Sequence, residues 1–355
     1  MMKSVTNVAC CVLVVLLGLA ISPCASAQNY TVTDLGTLGG ASSEALGVNA
    51  LGQIAGESYT AAEYLHAATW NNLEIKDLDP LFGINNLGIA YAIDDSGEAV
   101  GVITQGLKNH ASLWKGSAGS QDLSPNDFYA IASAINASGQ IAGSLETEPT
   151  STVYAAFWPN PNSVQTLPTL GGPYGQALGI NNAGQVVGQS QVPGVVYAFH
   201  AFLWSEAAGI RDLGTLGGSE SSAWAINNTG QIVGWSAVGK YSASRPFSWT
   251  NAGGMHNLGT LGGFAAAARA INDSGSVVGW SYLSDNYTVH AFAWTASGGL
   301  QDLNNLIPSG SGWVLMYANG INASGQIVGN GTINNLSHAF LLTPTTLLGG
   351  DVAGK

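Results

Sequence analysis

Charge is scarce in this sequence, and positive charge is scarcest. Only 8% of the 355 residues are charged, whereas an average soluble domain carries about 25%. Nine lysines and arginines stand against 21 aspartates and glutamates, which gives a formal net charge of −12. Nucleic acid is excluded as a partner, because binding to phosphates needs a basic face.

Cysteine is absent after position 24. The three cysteines, Cys10, Cys11 and Cys24, all lie near the N-terminus, in a segment that we expect to be removed. The rest of the chain therefore offers no disulfide scaffold, no zinc–thiolate site and no cysteine nucleophile. Since it also contains no other metal-binding or cofactor motif, we expect neither a metal nor a cofactor.

Long hydrophobic runs are absent too, apart from residues 8–21. This run is too short to span a bilayer of about 30 Å as a helix. A positively charged start before it, and a proline and small residues after it, are typical of a cleavable signal peptide. We predict a signal peptide at 1–27, cleavage before Gln28, and an extracellular or periplasmic protein with no membrane span after cleavage. The alternatives are a lipoprotein modified at Cys24, which the preceding Ile-Ser-Pro disfavours, and a retained anchor.

A repeat occupies the rest of the chain. A string of the form I-N-x-x-G-Q-I-V-G occurs in seven copies, each followed by a string like H-A-F-x-W and, in several copies, by D-L-G-T-L-G-G. The glycine of the Asn-x-x-Gly turn recurs every 42 to 50 residues, a period typical of a β-propeller blade. The first string begins at residues 48, 93, 135, 180, 226, 271 and 321.

Each repeat consists of short segments separated by turns, without a sustained helical period. Asn-x-x-Gly is a turn sequence in which glycine supplies a positive φ, and it joins the first two predicted strands. The sequence therefore predicts an all-β protein, a seven-bladed β-propeller of four-stranded antiparallel blades. The predicted domain covers residues 28–344, and a short C-terminal tail follows at 345–355.

The two ends of the chain complement each other. The last repeat stops at residue 344 without its D-L-G-T-L-G-G string, and residues 30–40 provide that string before the first repeat. We therefore predict that residues 30–38 form the outer strand of the seventh blade. This pairing closes the ring and leaves no terminal blade with an unpaired edge.

The three strings in this order resemble the HAF-family extracellular repeat of bacteria, over essentially residues 30–344. The resemblance implies export, and it implies neither an enzymatic activity nor a ligand. Two copies depart from the pattern, because Tyr154 and Arg245 replace the histidine of the second string.

Residues that recur in every repeat are predicted to be structural. Histidines in the second string and aspartates near the end of the period suggest acid–base chemistry or a metal site. Equivalent positions in different blades diverge around a ring, however, so we expect His–Asp hydrogen bonds between the third and fourth strands instead. The tryptophans of the second string are expected to pack between blades. The histidines in question are His66, His110, His200, His290 and His338.

Function is expected where the repeat varies. Loops on one face of the predicted ring carry aromatic residues and little charge, which suits an uncharged, hydroxyl-rich ligand. The candidate ligand-binding residues are Tyr59, Tyr64, Tyr197, Tyr241, Tyr282, Tyr287, Trp313 and Tyr317. The predicted role is a secreted, monomeric, non-enzymatic binding or scaffold propeller that recognises a glycan or an envelope protein. In the simpler alternative, these rings only cover the ends of the blades.

Catalysis is the competing hypothesis, in the form of an extracellular propeller enzyme that acts on polysaccharide. An enzyme needs a cluster of titratable groups with matched pKa values. The charged residues outside the repeat pattern are scattered over different blades, and the innermost strands look small and apolar, so we expect little chemistry in the central channel. Those charged residues are Glu44, Glu57, Glu63, Glu146, Glu148 and Arg269.

Overall fold

The computed structural model describes residues 29–79, 86–116, 119–147, 152–194, 198–239 and 243–345. The predicted signal peptide, its cleavage site and all but the first residue of the predicted tail lie outside these ranges. Within them the chain is all-β, with no α-helix and one short 3₁₀-helix, η1 (Leu303–Asn305). No helix in the same ranges is long and apolar enough to cross a membrane.

After strand β1 (Tyr30–Asp34), the strands follow in sets that match the sequence repeats, and we call these sets units 1 to 7. Units 1 to 3 are β2 (Gly39–Val48), β3 (Ile54–Thr60), β4 (Leu65–Asn71) and β5 (Glu74–Asp77); β6 (Asn86–Ile93), β7 (Glu98–Gln105), β8 (Lys108–Lys115) and β9 (Ser120–Asp122); and β10 (Ala130–Ile135), β11 (Ile141–Thr147), β12 (Thr152–Asn160) and β13 (Ser163–Thr166). Units 4 to 6 are β14 (Gly175–Ile180), β15 (Val186–Gln191), β16 (Phe199–Ser205) and β17 (Gly209–Asp212); β18 (Ser221–Ile226), β19 (Ile232–Val238), β20 (Ala243–Thr250) and β21 (Gly254–Asn257); and β22 (Gly262–Ile271), β23 (Val277–Leu283), β24 (Val289–Thr295) and β25 (Gly299–Asp302). Unit 7 contributes β26 (Trp313–Ile321), β27 (Ile327–Ile333) and β28 (Leu336–Pro344).

Units 2 to 6 are separate four-stranded antiparallel sheets in which the strands pair in chain order. In unit 7 the fourth position is taken by β1, which pairs antiparallel with β28 from Tyr30 opposite Pro344 to Asp34 opposite Phe340. The predicted pairing of the N-terminal segment with the last repeat is therefore present, although the strand ends at Asp34. A single parallel contact, Ser42 with Ser337, joins unit 7 to the sheet of unit 1.

The Asn-x-x-Gly turns link neighbouring units as well as neighbouring strands. In unit 4, Asn181 Oδ1 accepts hydrogen bonds from the backbone N–H groups of Ala183 and Gln185 and so fixes the turn. Its Nδ2 donates to the carbonyl of Asn227, the equivalent residue of the next unit, at 3.2 Å. The same amide-to-carbonyl bond joins Asn49 to Asp94, Asn136 to Asn181, Asn227 to Asn272, Asn272 to Asn322, and Asn322 to Asn49. The last of these bonds joins the last repeat to the first.

One of the seven turns lacks an amide donor for the bond to the next unit, and this turn allows the contribution of these bonds to be tested. Asp94 holds the turn of unit 2 through its Oδ1 but cannot donate to the carbonyl of Asn136, because an ionised carboxylate only accepts. Asp94→Asn is expected to raise the free energy of unfolding by about 1 kcal/mol, the typical net contribution of one hydrogen bond. The reciprocal change, Asn181→Asp, should lower it by at least a similar amount. Denaturant unfolding of both variants checks the pair, and a destabilised Asp94→Asn would contradict it.

The histidines of the repeat bind the aspartates at the end of the same period, as predicted. In five units a histidine Nδ1 lies 2.7–2.9 Å from a carboxylate oxygen on the adjacent fourth strand. In unit 7 this contact joins His338 to Asp34 of β1, 304 residues away. Each pair sits in a different unit, and the described residues contain no group of three or more His, Cys, Asp or Glu that could hold a metal ion. The pairs fasten third strands to fourth strands.

The repeated tryptophans pack between units, which confirms the prediction. Trp158 of unit 3 is fully buried against residues of unit 2, among them Val100 and Leu113. Its indole N–H donates to the carbonyl of Leu123, at the end of the preceding unit. Trp70 of unit 1 makes the equivalent bond to the carbonyl of Leu35, which follows β1. Each of these large rings buries apolar surface between neighbouring sheets.

Candidate binding site in the central cavity

The first strand of every unit contains a β-bulge at the same place. In β10, for example, the pairing with β11 passes from Ala132 to Ala134 and skips Ser133. A bulge leaves one residue without a partner in the ladder and turns its side chain in a new direction. The skipped residues, each three positions before the turn Asn or Asp, are Leu46, Tyr91, Ser133, Leu178, Trp224, Arg269 and Asn319.

All seven bulge residues line one cavity of about 580 Å³. The rest of its wall comes from Ile131, Ser144, Gln176, Gln189 and Trp235, on first and second strands. A volume of this size lies within the range of small-molecule sites. We call this space the central cavity, because the first strands of all seven units contribute to it.

This site was not predicted from the sequence. The bulge residue is flanked in every unit by alanine on one side and by alanine or glycine on the other, so the strand looks small and apolar. The expectation of little chemistry in the channel was therefore wrong. An alignment of the seven repeats would have given a signal, because this position varies between Leu, Tyr, Ser, Trp, Arg and Asn while the residues on both sides of it stay alanine or glycine.

The cavity wall is aromatic and amide-rich on one side. The guanidinium of Arg269 lies over the ring of Trp224 at 4.5 Å from its centroid, which is a cation–π contact. Gln189 Nε2 donates to Gln176 Oε1 at 2.9 Å, and this bond orients two amide groups at the wall. A smaller cavity of about 260 Å³ shares Trp224 with the central cavity and adds Trp280.

Next to Asn319 of this wall lies a pair of glutamates, which we call the acidic side. Glu44 and Glu57 are directly opposed on β2 and β3, at the positions that Gln176 and Gln189 occupy in unit 4. Asn319, a bulge residue, donates from Nδ2 to Glu44 Oε1 at 3.0 Å. The prediction that the charged residues are scattered is therefore wrong for Glu44, Glu57 and Arg269, which the fold brings together.

The other charged residues named in the sequence lie elsewhere. Glu63 is exposed in the turn between β3 and β4, and Glu146 lies in β11. Glu148 lies outside the described residues.

Burial and mutual repulsion perturb the titration of the acidic side. The pKa of Glu57 is raised from 4.5 to about 7, first by burial and then by the nearby charge of Glu44. Burial also raises the pKa of Glu44, while the hydrogen bond from Asn319 and the charge of Arg269 oppose the rise. The pKa of Tyr91 is raised to about 12 by burial and by the negative charge of Glu57. The pair of glutamates therefore keeps a proton into the neutral range.

This proton makes stability depend on pH. The folded-state pKa of Glu57 lies above its unfolded value, so its contribution is fully present below pH 4.5 and is lost as pH rises through about 7. The Glu57→Gln variant, which stays neutral, is expected to match the parent near pH 4.5 and to be more stable by about 2–3 kcal/mol above pH 7. Denaturant unfolding of both proteins across this range measures the difference, and parallel pH profiles would contradict it.

Two of the predicted ligand-binding tyrosines lie together beside the acidic side. Tyr282 and Tyr317 contact the same ring, that of Trp280, with centroids at 5.7 and 6.1 Å. Phe264 stacks on the other side of Tyr282 at 5.1 Å. Trp280 lines the smaller cavity that shares Trp224 with the central cavity, so this cluster lies next to it.

The remaining predicted tyrosines are dispersed. Tyr59 and Tyr64 lie half-buried at the end of β3 and in the turn after it, and Tyr287 is 88% exposed before β24. Tyr197 and Tyr241 lie outside the described residues. The fold therefore does not gather all of the loop tyrosines into one site.

Trp313 is a core residue, and the prediction that it binds a ligand is wrong. It is the first residue of β26, 8% exposed, and packs edge-on against Phe340 at 6.0 Å. We expected this tryptophan in a loop, but it is already part of a strand because β26 begins at it. Its ring fills the interior of unit 7.

Comparisons with known proteins give limited information. No protein-family model matches the sequence, and no curated protein matches it. Among solved structures it is similar to TolB from Acinetobacter baumannii, with 11% identity and a TM-score of 0.45 over 79% of this chain and 76% of TolB. It is also similar to XC5397 from Xanthomonas campestris, a gluconolactonase, with 11% identity and a TM-score of 0.42 over 90% of this chain and 96% of that one. Similarities this loose do not say what the present chain binds.

Proposed function

We propose that this chain is an exported β-propeller of seven blades, closed by its N-terminal strand, that binds a glycan in the central cavity without transforming it. Seven copies of the repeat, the pairing of β1 with β28 and the bond from Asn322 to Asn49 support the ring. The resemblance of the repeat to the HAF-family extracellular repeat supports export. A role as a secreted or periplasmic binding module follows from these features.

One observation carries the binding role. Seven bulges, built by the invariant part of the repeat, direct seven side chains into one cavity, and those side chains differ. Residues needed only to hold the ring together recur in every unit, as the last glycine of the I-N-x-x-G-Q-I-V-G string does. The bulge position faces the cavity in every unit, but the residue type at this position differs between units. Such a set of side chains is therefore suited to recognising an asymmetric ligand.

The chemistry of the wall fits a sugar. The rings of Trp224, Trp235 and Tyr91 offer flat apolar faces on which a pyranose can stack. The amides of Gln176 and Gln189 can both donate and accept, which matches the hydroxyl groups of a sugar. The smaller cavity next to Trp224 gives room for a second residue of an oligosaccharide.

The competing function is hydrolysis of a polysaccharide, and the Glu44–Glu57 pair is the observation that favours it. Two carboxyl groups whose environments separate their pKa values are the usual acid and base of glycan hydrolysis. Turnover of an oligosaccharide that Glu57→Gln abolishes, with binding retained, would establish the enzyme in place of the binding module.

Substitution of one wall residue tests the binding role. A panel of neutral and charged oligosaccharides identifies a ligand, and calorimetry then measures its affinity for the parent and the variants. Trp224→Ala is expected to weaken binding at least about tenfold, or about 1.4 kcal/mol, because the stacking face is lost. Tyr287→Ala removes an exposed ring that does not line the cavity and should leave the affinity within about twofold.

The opposite order of the two affinity losses would indicate that the ligand binds to the loops. If Tyr287→Ala weakens binding and Trp224→Ala does not, the central cavity is not the site. Circular dichroism of both variants shows whether the fold survives, so that loss of binding is not confused with loss of structure.

A further inference from the structure

Two carboxylates, those of Glu44 and its strand partner Glu57, lie next to Asn319 of the cavity wall, and together they carry more negative charge than the nearby Arg269 can balance. Within the described ranges, the charged group that acts on Glu44 is Arg269, and the one that acts on Glu57 is Glu44. Arg269 is also engaged with the ring of Trp224. With both glutamates ionised, the three groups carry a net charge of −1, and a half-buried charge that stays unpaired is unfavourable.

The geometry points to a ligand that supplies the missing positive charge. We propose that the central cavity recognises a saccharide with a free amino group, and that Glu44 and Glu57 bind its ammonium. This proposal rests on the proposed function, because it assumes that a saccharide occupies the cavity, and it adds which class of saccharide that is.

Asn319 is an independent observation that points to a ligand at this place. It is 92% buried, lines the cavity and donates through Nδ2 to Glu44. Its Oδ1 is buried and has no hydrogen-bond partner among the described residues. An ammonium group has three N–H donors, so Glu44, Glu57 and Asn319 Oδ1 together offer one acceptor for each.

Aromatic rings stand beside these acceptors. Tyr317 lies two residues before Asn319 in β26, and its ring packs edge-on against that of Trp280 at a centroid distance of 6.1 Å. Burial and the negative charge of Glu57 raise the pKa of Tyr91, another ring of the cavity wall. Aromatic faces attract ammonium groups through the negative charge of the ring faces, most strongly where water is partly excluded.

Binding of an ammonium should release a proton. The groups that face the pair are Arg269, Tyr91 and Tyr317, and neither tyrosine ionises in the neutral range. The pKa of Glu57 is raised to about 7, first by burial and then by repulsion from Glu44, so its carboxyl keeps its proton up to about that pH. When an ammonium binds, the Glu57 carboxyl gives this proton to the buffer and becomes the carboxylate that pairs with the ligand.

The experiment compares three β-1,4-linked oligosaccharides of the same length: glucosamine, N-acetylglucosamine and glucose oligomers. Isothermal titration calorimetry at neutral pH, in two buffers with different ionisation enthalpies, measures the affinities and the protons released. We expect the glucosamine oligomer to bind at least about tenfold more tightly than the other two. Its binding alone should show an enthalpy that depends on the buffer.

Variants separate a specific site from general attraction to an acidic protein. Glu44→Gln and Glu57→Gln should each remove the preference for the amine and keep any binding of the neutral oligomers. The matched control is Glu63→Gln, which removes the same charge from an exposed turn and should leave the preference unchanged.

Each outcome decides between the two proposals. Equal affinity for all three oligomers, with a loss in Trp224→Ala, would overturn the amine site and leave glycan binding intact. A preference for the amine that all three glutamine variants reduce alike would overturn the site as unspecific attraction. Absence of binding by every oligomer would overturn both the glycan-binding role and the amine site.

Discussion

A chain that starts at residue 39 is expected to be unfolded under conditions in which the chain that starts at residue 29 is folded. The missing segment contains β1, which pairs along its whole length with β28. Without it, β28 becomes an open edge strand, which is a template for aggregation. The first and last repeats also lose the element that ties them together.

The expected loss is comparable to the whole stability of a domain. Tyr30 and Leu35 are 6% and 4% exposed, and burial of each such side chain contributes about 1.5–3 kcal/mol. Leu35 donates to the carbonyl of Ala339 and accepts from the indole of Trp70, and Asp34 binds His338. At about 1 kcal/mol for each hydrogen bond, the sum is about 6–9 kcal/mol, against about 5–15 kcal/mol for a typical protein.

A rearranged chain provides the control. Tyr30 lies opposite Pro344, so residues 30–38 can follow residue 345 through a short glycine-containing turn, like the one that joins β16 to β17. This variant restores the strand order of the other repeats, and it should unfold at nearly the denaturant concentration of the parent. If the chain that starts at residue 39 proves as stable as the parent, the pairing of β1 with β28 does not stabilise the fold.

Local chemistry that repeats could be predicted from the sequence. The Asn-x-x-Gly turns, the His–Asp pairs and the buried tryptophans each depend on residues a few positions apart or on one recurring contact. The pairing of β1 with β28 was also predictable, because the last repeat lacks a string that residues 30–40 supply. What the sequence did not disclose is that the turn asparagines also bond to the next unit.

The site depends on strand register, which the sequence does not display. Alternation along β2 or β22 places the side chains on two faces, but a bulge at Leu46 or Arg269 adds one residue and reassigns those faces. Arg269 acts on Glu44 only because the fold brings together two units that are more than 200 residues apart in the chain. The prediction for Trp313 was wrong for a related reason. The strand that buries this residue begins earlier than the turn pattern indicated.

The bulges themselves have a cause that can be tested. Each is opposed by the last glycine of the I-N-x-x-G-Q-I-V-G string, such as Gly143 in β11. The φ of Gly143 is not positive, so backbone conformation does not require glycine there. Instead, a Cβ on Gly143 would collide with the carbonyl oxygen of Ile131 and would lie 3.1 Å from the Cα of Ala132. The bulged strand thus approaches the second strand so closely that only glycine fits.

Gly143→Ala is therefore expected to lower the free energy of unfolding by about 3 kcal/mol, because the methyl group forces two backbones apart. The matched control is Gly310→Ala, where a Cβ would meet nothing within 4 Å and φ is not positive, so stability should stay within about 1 kcal/mol of the parent. Denaturant unfolding measures both.

The same substitution connects the repeat to the proposed site. Movement of β10 away from Gly143 displaces Ser133, a bulge residue that lines the central cavity. Affinity for the cavity ligand should therefore fall in Gly143→Ala and stay unchanged in Gly310→Ala. If both variants unfold at the same denaturant concentration, the close approach does not set the bulge, and the invariant glycine needs another explanation. If only stability falls, the bulge survives the methyl group, and the cavity is held by contacts other than this one.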